Sequence, residues 1–345
     1  MFFKRTLFSL LSLSSIIVVL LSFNHFYPKS GLQLSFISHS EQAPLTGLPG
    51  ASSEVLVVKI DDTSYAHPQV GLKDADVVYI EQVEGGLTRL AAVFSSRVPN
   101  LAGPVRSARI SDIELFAQYG KVGFAYSGVQ KKMVPVVAAA NLYDLGATHF
   151  GPAFYINDLN RTPPYAMMVK ANDLLSAAQG KDFAIAKSQS MGWSFGNPPA
   201  NMEKFSSVHI SWPASSYDVS WSPSENRWQL THNGELDVDD SGYVLGPKNF
   251  VIQLVSITDS IYHDKVGGIT PFSATVGTGK CYLLRNGEYL PCTWQRSSAG
   301  EGTTFTDLQG HEVQFDKGQT WFALTSKEPI FTRNSVQDAA SASSK

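Results

Sequence analysis

A short hairpin in the last quarter of the chain restricts the possible folds more than any other feature. Asn286-Gly287 is a two-residue turn signal, because both residues tolerate the positive φ angles of a type I′ turn. Counting outward from this turn places Cys281 directly opposite Cys292. Opposed residues of an antiparallel pair have Cα atoms within disulfide range. The sequence therefore predicts a hairpin closed by a Cys281–Cys292 disulfide, with two reduced, buried cysteines as the alternative.

The N-terminal sequence predicts that the rest of the chain lies outside the cytoplasm, where such a disulfide persists. Lys4 and Arg5 precede an uncharged run over residues 7–23, which as a helix would be about 26 Å long, at the short end for a bilayer span. The residues after it contain no Ala-x-Ala cleavage pattern. We expect residues 1–23 to be an uncleaved signal anchor, with cleavage as the alternative, and residues 24–50 to be a tether. The basic residues before the span predict a single-pass cell-membrane protein with extracytoplasmic domains.

Two patterns divide the rest of this 345-residue chain. Residues 51–200 mix short apolar strands with helical segments, whereas residues 205–328 alternate short strands with turns. We therefore predict an α+β fold, in which a mixed-sheet domain with helices is followed by a β-rich C-terminal domain. The tail, residues 333–345, is rich in Ala and Ser and is expected to be disordered.

The strongest candidate for a ligand site precedes a predicted helix. Ser111 with Glu114 three positions later is a capping-box pattern, which predicts a helix start. Arg106, Ser107 and Arg109 come just before it. Two guanidinium groups and a hydroxyl group would therefore lie beside unpaired helix N–H groups, which suits a carboxylate or a phosphate. Internal ion pairs of the two arginines are the alternative.

A second hairpin lies upstream of these arginines. Gly85-Gly86 predicts a two-residue turn, which places Arg89 opposite Gln82 and diagonal to Glu84 on the same face, close enough for Arg89 and Glu84 to pair. We therefore expect structural roles for Glu84, Arg89 and the two glycines. Glu81 would point to the opposite, apolar face, where an acid should be protonated, paired or functional.

Composition and motif spacing exclude several classes of function. The net charge of −3, with both signs spread evenly, gives no basic patch, so nucleic acid is not an expected partner. The two cysteines and the scattered histidines have no metal-ligand spacing. Gly279-Lys280 lacks the glycine and the Ser/Thr of a P-loop. The sequence therefore predicts no metal site and no cofactor.

Two motifs in a fixed order, residues 83–89 and 103–109, resemble the YerB-like family of bacterial envelope proteins of unknown function. The resemblance extends over residues 44–325 and implies a two-part α+β fold tethered to the membrane outside the cell. Family members are often lipoproteins, whereas this sequence has no lipid-accepting cysteine, so its apolar N-terminal helix is the expected anchor. The family also tends to carry Arg followed shortly by Pro-His-Asn. Here Arg161 is followed by Pro164-Tyr165-Ala166, so that histidine is absent and catalysis becomes a weaker expectation.

The leading hypothesis is a membrane-anchored extracytoplasmic protein that binds an anionic envelope polymer or the acidic segment of a protein partner. Its pocket would be built on Arg106, Arg109 and Glu81, because arginine grips carboxylates and phosphates with two hydrogen bonds. One of these two arginines is the expected partner of Glu81. Further ligand-binding candidates are Ser107, Asp158 and Arg161.

Two other hypotheses remain open at this point. The first is a hydrolase or transferase that acts on a wall glycan, with Glu81 or Glu84 and Asp158 as the acid/base pair. The second is a structural interaction module without a small-molecule site, in which the charged residues form internal pairs. A convergent pair of carboxylates would indicate the enzyme, whereas arginines sealed in ion pairs without a cleft would indicate the module.

Overall fold

The computed structural model of the protein describes residues 41–333. The predicted signal anchor, most of the predicted tether and all but the first residue of the predicted tail lie outside the described residues. None of the helices between residues 41 and 333 has the length and apolarity that a bilayer-spanning helix needs.

Strands make up most of the regular structure in this part of the chain. The strands are β1 (Leu56–Asp61), β2 (Val77–Gln82), β3 (Thr88–Phe94), β4 (Val122–Ala125), β5 (Leu142–Asp144), β6 (Tyr155–Asn157), β7 (Met167–Val169), β8 (Ser194–Phe195), β9 (Glu203–Lys204), β10 (Ser207–Ser211), β11 (Ser216–Ser222), β12 (Arg227–His232), β13 (Glu235–Leu236), β14 (Asn249–Leu254), β15 (Ile257–His263), β16 (Ile269–Ser273), β17 (Gly277–Arg285), β18 (Glu288–Arg296), β19 (Thr304–Asp307), β20 (Gln314–Phe315), β21 (Thr320–Thr325) and β22 (Ile330–Thr332). The α-helices are α1 (Ile110–Ala117), α2 (Val134–Ala139), α3 (Ala147–Phe150) and α4 (Ala171–Gln179). Short 3₁₀ turns cover Ser64–Ala66, Leu72–Asp74, Glu84–Gly86, Lys131–Met133 and Gly151–Ala153.

An eleven-stranded mixed sheet forms the centre of the fold. Its order is β19-β18-β17-β14-β21-β2-β3-β1-β4-β5, and β9 also pairs with β18. Strand β21 runs parallel to both β14 and β2, so it joins strands from the two ends of the described chain. The strand-rich arrangement with few helices belongs to the predicted α+β class. The boundary between the two predicted domains stays a prediction, although strands from both segments share this sheet.

A smaller antiparallel sheet, β13-β12-β11-β10-β22, packs on one face of the large sheet. The indole N–H groups of Trp212 and Trp228 cross the interface and donate to backbone carbonyls of β21 and β17 at 2.8 and 3.2 Å. Helix α1 packs on the opposite face through Leu115 and Phe116. The large sheet is therefore covered on both faces, which explains why β1 is buried along its whole length.

The hairpin of β17 and β18 confirms the predicted turn and register. Asn286 and Gly287 have φ angles of 54° and 79°, as a type I′ turn requires. Cys281 lies opposite Cys292 with a Cα–Cα distance of 4.8 Å, and the two residues form the predicted disulfide.

The start of α1 differs from the prediction. Arg109 precedes the first helical residue, and its backbone N–H donates to the Asp112 carboxylate at 2.5 Å. Ser111 and Glu114 lie inside the helix and accept hydrogen bonds from backbone N–H groups at the end of β16 and just after it. The predicted cap was therefore wrong by two residues, because these side chains attach the helix to a distant hairpin instead of closing its end.

The hairpin of β2 and β3 also differs from the prediction by one residue. Three residues, Glu84–Gly86, form the loop, and Glu81 lies opposite Arg89. The two glycines have φ angles of 69° and 73°, and the Gly86 carbonyl accepts a hydrogen bond from Ala214 at 2.9 Å. A one-residue shift sends a side chain to the other face of a sheet. Glu81 and Arg89 therefore share a face, which the predicted two-residue turn had excluded.

Candidate anion-binding site

A cleft of about 740 Å³ opens where the chain after β3 meets the β15–β16 hairpin. Three arginines reach it, together with small and polar residues from three segments. The lining residues are Glu84, Arg89, Val105, Arg106, Ser107, Arg109, Ser127, Gly128, Val129, Gln130, Met133, Asn157, Pro163, Pro164, Ala166, Met167, His263, Asp264, Lys265, Val266 and Thr270. The structure thus brings the predicted candidates Arg106, Ser107 and Arg109 to one cleft.

Arg89 is the arginine of this cleft that has no acidic partner among residues 41–333. It is 8 % exposed, and its Nη1 donates to the Ser107 carbonyl oxygen at 3.0 Å. No carboxylate of residues 41–333 lies within ion-pair distance of its guanidinium group. Burial lowers its pKa to about 9, and the positive charges of Arg109 and Arg106 add to this effect. A nearby anion would strongly stabilise the charged form of a guanidinium group that is buried beside other cations.

The other two arginines each have one acidic partner. Arg106 Nε lies 2.6 Å from Asp61 Oδ2, and Arg109 Nε lies 2.7 Å from Glu84 Oε1. Burial raises the pKa of Glu84, but the charge and hydrogen bonds of Arg109, together with hydrogen bonds from Thr270 and the backbone, bring this pKa below its usual value. Glu84 also accepts a hydrogen bond from Thr270 of β16. Glu84 therefore forms its ion pair with Arg109, and the predicted Glu84–Arg89 pair does not form.

Glu81 has a different partner from the one that the sequence indicated. Its Oε1 lies 2.6 Å from Lys59 Nζ, and Asp112 lies 2.7 Å from the same nitrogen. All three side chains are fully buried. Burial raises the pKa of Glu81 to about 7, with Lys59 lowering it and Asp112 raising it. The predicted pairing with Arg106 or Arg109 was wrong, because Lys59 projects from the middle of β1 towards α1.

The helix N-terminus does not offer the free N–H groups that the sequence predicted. Asp112 already accepts the backbone N–H of Arg109, so a carboxylate of the chain itself occupies the positive end of α1. The anion site of this cleft consequently depends on guanidinium groups and not on the helix dipole.

Asp158 and Arg161 line a second cleft, of about 640 Å³, with Tyr65, His67, Pro68, Asn160, Thr162 and Tyr165. Arg161 Nε lies 3.1 Å from Asp158 Oδ2, and its other nitrogens donate to the carbonyl oxygens of Ala66 and Pro68. These two candidates therefore do not join the three arginines. The two clefts are neighbours, since Pro163 and Pro164 line the first cleft while the residues on either side line the second.

Several residues of the cleft were missed by the sequence reasoning. Arg89 was assigned a structural role because a two-residue turn was assumed, and the Gly-Gly pair alone does not distinguish a two-residue loop from a three-residue one. His263, Lys265 and Thr270 come from a hairpin that is far away in the sequence. No local pattern marks their proximity to Arg106.

The geometry defines a strand-rich α+β protein with an arginine-lined cleft and a cross-strand disulfide. The chain belongs to the DUF3048 family, described as a protein of unknown function: its N-terminal domain matches residues 45–184 and its C-terminal domain matches residues 208–322. This confirms the resemblance drawn from the two arginine-containing motifs.

One curated relative and one solved structure carry the comparison further. "Putative lipoprotein YerB" of Bacillus subtilis (strain 168) is 31 % identical over 150 residues, which are 42 % of this chain and 44 % of that protein. The aligned part thus spans less than half of the relative. The crystal structure of the YerB protein from Bacillus subtilis superposes with a TM-score of 0.71 at 22 % identity, covering 85 % of this chain and 100 % of that chain. The second comparison establishes the similarity of fold.

Proposed function

We propose that the protein binds an anionic ligand of the bacterial cell envelope in the cleft where Arg89, Arg106 and Arg109 meet. The observation that carries the proposal is the buried Arg89 guanidinium group, which has no carboxylate partner among residues 41–333. A buried charge is costly unless it is paired. A ligand carboxylate or phosphate would supply the missing partner and accept two parallel hydrogen bonds from one guanidinium group.

The balance of charges in the cluster supports an anion. Three guanidinium groups, those of Arg89, Arg106 and Arg109, face two ion-paired carboxylates, those of Asp61 and Glu84, so these five groups carry one positive charge in excess. The other charged residues of the lining, Asp264 and Lys265, offset each other. Arg106 is still 22 % exposed in its side chain and therefore keeps a face towards the cleft. Small residues beside the arginine segment, among them Ser127 and Gly128, leave room for a ligand to approach the backbone.

A membrane-associated, extracytoplasmic location fits two observations. The disulfide between Cys281 and Cys292 is typical of oxidising compartments. The curated relative carries "lipoprotein" in its name. We infer the same side of the membrane for this chain, with the apolar run over residues 7–23 as the proposed single-pass anchor. Peptidoglycan fragments and teichoic-type polymers are the anionic ligands of that compartment that the cleft suits.

The two other hypotheses receive less support. A hydrolase needs two carboxylates that converge on the substrate, but Asp158 lines the second cleft and Arg109 keeps Glu84 ionised. A purely structural module needs arginines sealed in ion pairs without a cleft. Arg106 and Arg109 are paired in that way, whereas Arg89 and the 740 Å³ cleft are not explained by it.

The proposal is tested by replacing the unpaired cation. Arg89→Gln should weaken binding of soluble peptidoglycan fragments with free carboxylates by about 10- to 150-fold, the equivalent of about 1.5–3 kcal/mol for a hydrogen bond to a charged group. Isothermal titration calorimetry measures this, with poly(glycerol phosphate) as a parallel probe that separates phosphate from carboxylate recognition.

Arg97→Gln is the matched control, because Arg97 is an exposed arginine that pairs with Asp74 outside the cleft. It should bind both probes like the wild-type protein. The proposal fails if neither probe binds to the wild-type protein, or if Arg89→Gln binds them as tightly as the control. Thermal unfolding of each variant shows whether a loss of binding arises from a loss of structure.

A further inference from the structure

A second group of chemistry-bearing side chains lies on the other face of the sheet, at the same end of β1. Alternation along the strand sends Asp61 towards the arginines and the next residue, Asp62, towards the smaller sheet. Asp62 is buried beside two histidines, His67 from the following loop and His232 from β12. One donor atom from each of these three residues lies within 4.8 Å of the other two.

We propose that Asp62, His67 and His232 form a binding site for a divalent transition metal ion of the Zn²⁺ type. Two imidazole nitrogens and one carboxylate are a donor set that such ions prefer. His67 Nε2 lies 3.6 Å from Asp62 Oδ1, and His232 Nε2 lies 3.7 Å from Asp62 Oδ2. Two ligands that are each about 2.1 Å from a tetrahedral ion are about 3.4 Å apart. Each histidine nitrogen therefore already lies near this distance from one oxygen of Asp62, and one donor atom from each residue lies within 4.8 Å of the other two.

The surroundings of the three residues resemble the outer shell of a metal site. His67 Nδ1 lies 3.2 Å from Asp237 Oδ1, so a carboxylate holds the ring nitrogen that faces away from Asp62. Ligating histidines are commonly oriented by a carboxylate in this way. Tyr217 Oη and Thr88 Oγ1 donate to the two oxygens of Asp62 at 2.7 and 2.5 Å and fix the orientation of its carboxylate.

Charge and hydrogen bonding also indicate a cation. Asp62 and Asp237 are two carboxylates at most 2 % exposed, and a divalent ion would neutralise both of them. The carboxylate oxygens of Asp237 are buried, and His67 is the ion-pair partner of Asp237 among residues 41–333.

Ion binding requires a rearrangement of the two histidines and of their hydrogen-bond partners. The rings of His67 and His232 stack with centroids 4.6 Å apart and an angle of 7° between their planes. The lone pair of an imidazole nitrogen lies in the ring plane, so both rings must tilt to point at one ion. The amide of Gln69, 3.1 Å from His67 Nε2, and the amide of Asn233 and the hydroxyl of Ser215, each 3.2 Å from His232 Nε2, must also turn aside.

The proposed site has an open side towards the second cleft. His67 is the ligand that also lines that cleft, next to Tyr65 and Arg161. Its side chain is 18 % exposed, whereas those of Asp62 and His232 are nearly inaccessible. A fourth coordination position would face this opening and take water or an oxygen ligand, as in metal sites with three protein ligands. The site is independent of the arginine cleft and of the function proposed for it.

Metal content after reloading tests the inference. The full chain is stripped with a chelator, reloaded with Zn²⁺ and dialysed, and its zinc is measured by plasma mass spectrometry. The wild-type protein should retain about one zinc per chain. His67→Ala and His232→Ala should lose it, and Asp237→Asn should weaken the affinity by about 10- to 100-fold, as outer-shell changes do. His209→Ala is the matched control, since His209 also pairs with an aspartate on the smaller sheet.

Cobalt absorption keeps the test decisive if the histidine variants fail to fold. Co²⁺ added to the stripped wild-type protein should produce visible d–d bands that saturate at about one equivalent and disappear when Zn²⁺ is added. Wild-type protein that retains no zinc and shows no such bands would overturn the inference. Zinc retention by a folded double variant, His67→Ala with His232→Ala, would overturn it equally.

Discussion

At the scale of single residues, the ionisation of Glu81 sets the charge that the arginine cluster presents. Glu81 lies directly opposite Arg89 in the sheet, and its carboxylate is held beside Lys59 and Asp112. Burial raises the pKa of Glu81 to about 7, with Lys59 opposing and Asp112 adding to the shift. The cluster is therefore more positive below pH 7 than above it.

We expect the affinity for a carboxylate ligand to fall as the pH rises from 6 to 8, because Glu81 becomes an anion at the strand position opposite Arg89. Calorimetry with peptidoglycan fragments measures this, since their carboxylates stay ionised over the whole range. Glu81→Gln keeps a hydrogen-bond acceptor for Lys59 and should abolish the dependence. The dependence should persist in His263→Gln, which removes the histidine of the cleft; a flat profile in that variant would contradict the role of Glu81.

The same shift has a consequence for stability, and its sign follows from proton binding. The folded-state pKa of about 7 lies above the usual value of 4.5, so the folded protein binds more protons than the unfolded chain between these values. The free energy of unfolding contributed by this group therefore decreases as the pH rises from about 4.5 to about 7. A buried acid with a cationic neighbour thus weakens the fold near neutral pH, which is a common cost at binding sites.

At the scale of elements, the loop between β2 and β3 positions both Glu84 and Arg89. Gly85 and Gly86 both have positive φ angles, but their surroundings differ. A Cβ atom at Gly85 would point into open space, whereas one at Gly86 would collide with Pro213 in the loop between β10 and β11. A substitution at Gly85 would therefore introduce backbone strain alone, whereas one at Gly86 would introduce both backbone strain and steric overlap.

We expect Gly85→Ala to lower the free energy of unfolding by about 1 kcal/mol, the cost of a left-handed conformation. Gly86→Ala should lower it by about 2–4 kcal/mol, because the overlap with Pro213 adds to the strain. Urea unfolding measures both, and each variant serves as the control for the other. Equal losses would show that the contact with Pro213 does not restrict the loop.

At the scale of the whole molecule, the eleven-stranded sheet joins the two family domains. Strand β21, from the C-terminal segment, lies between β2 and β14 and is fully buried. Separating the segments would expose the edge of β2 and the apolar face that the smaller sheet covers. Residues 41–333 should therefore unfold as a single cooperative unit.

We expect one unfolding transition, with the same midpoint whether it is followed by tryptophan fluorescence or by far-UV circular dichroism. Two separate transitions would contradict a shared core. Cys281→Ala combined with Cys292→Ala provides a reference perturbation. It should lower the stability by about 2–3 kcal/mol, because the disulfide closes a short loop, and it should leave the transition single.

Local patterns determined the features that depend on neighbours in the sequence. Asn286-Gly287 fixed the register of its hairpin, and with it the Cys281–Cys292 pair, because only two residues separate the strands. The arginine-containing motifs were sufficient to identify the family. They also placed Arg106 and Arg109 at a shared cleft, because both belong to one short segment.

Only the tertiary structure decided which charges meet. The loop of Glu84–Gly86 is one residue longer than predicted, and its Gly86 carbonyl accepts a hydrogen bond from the smaller-sheet residue Ala214. In this register Glu84 pairs with Arg109 and not with Arg89, the partner that the sequence indicated. His67 and His232 are far apart in the sequence and become neighbours because β12 packs over the end of β1. The physical reason is that the order of strands in a sheet, and the face on which each side chain falls, depend on packing between distant segments, which local spacing does not encode.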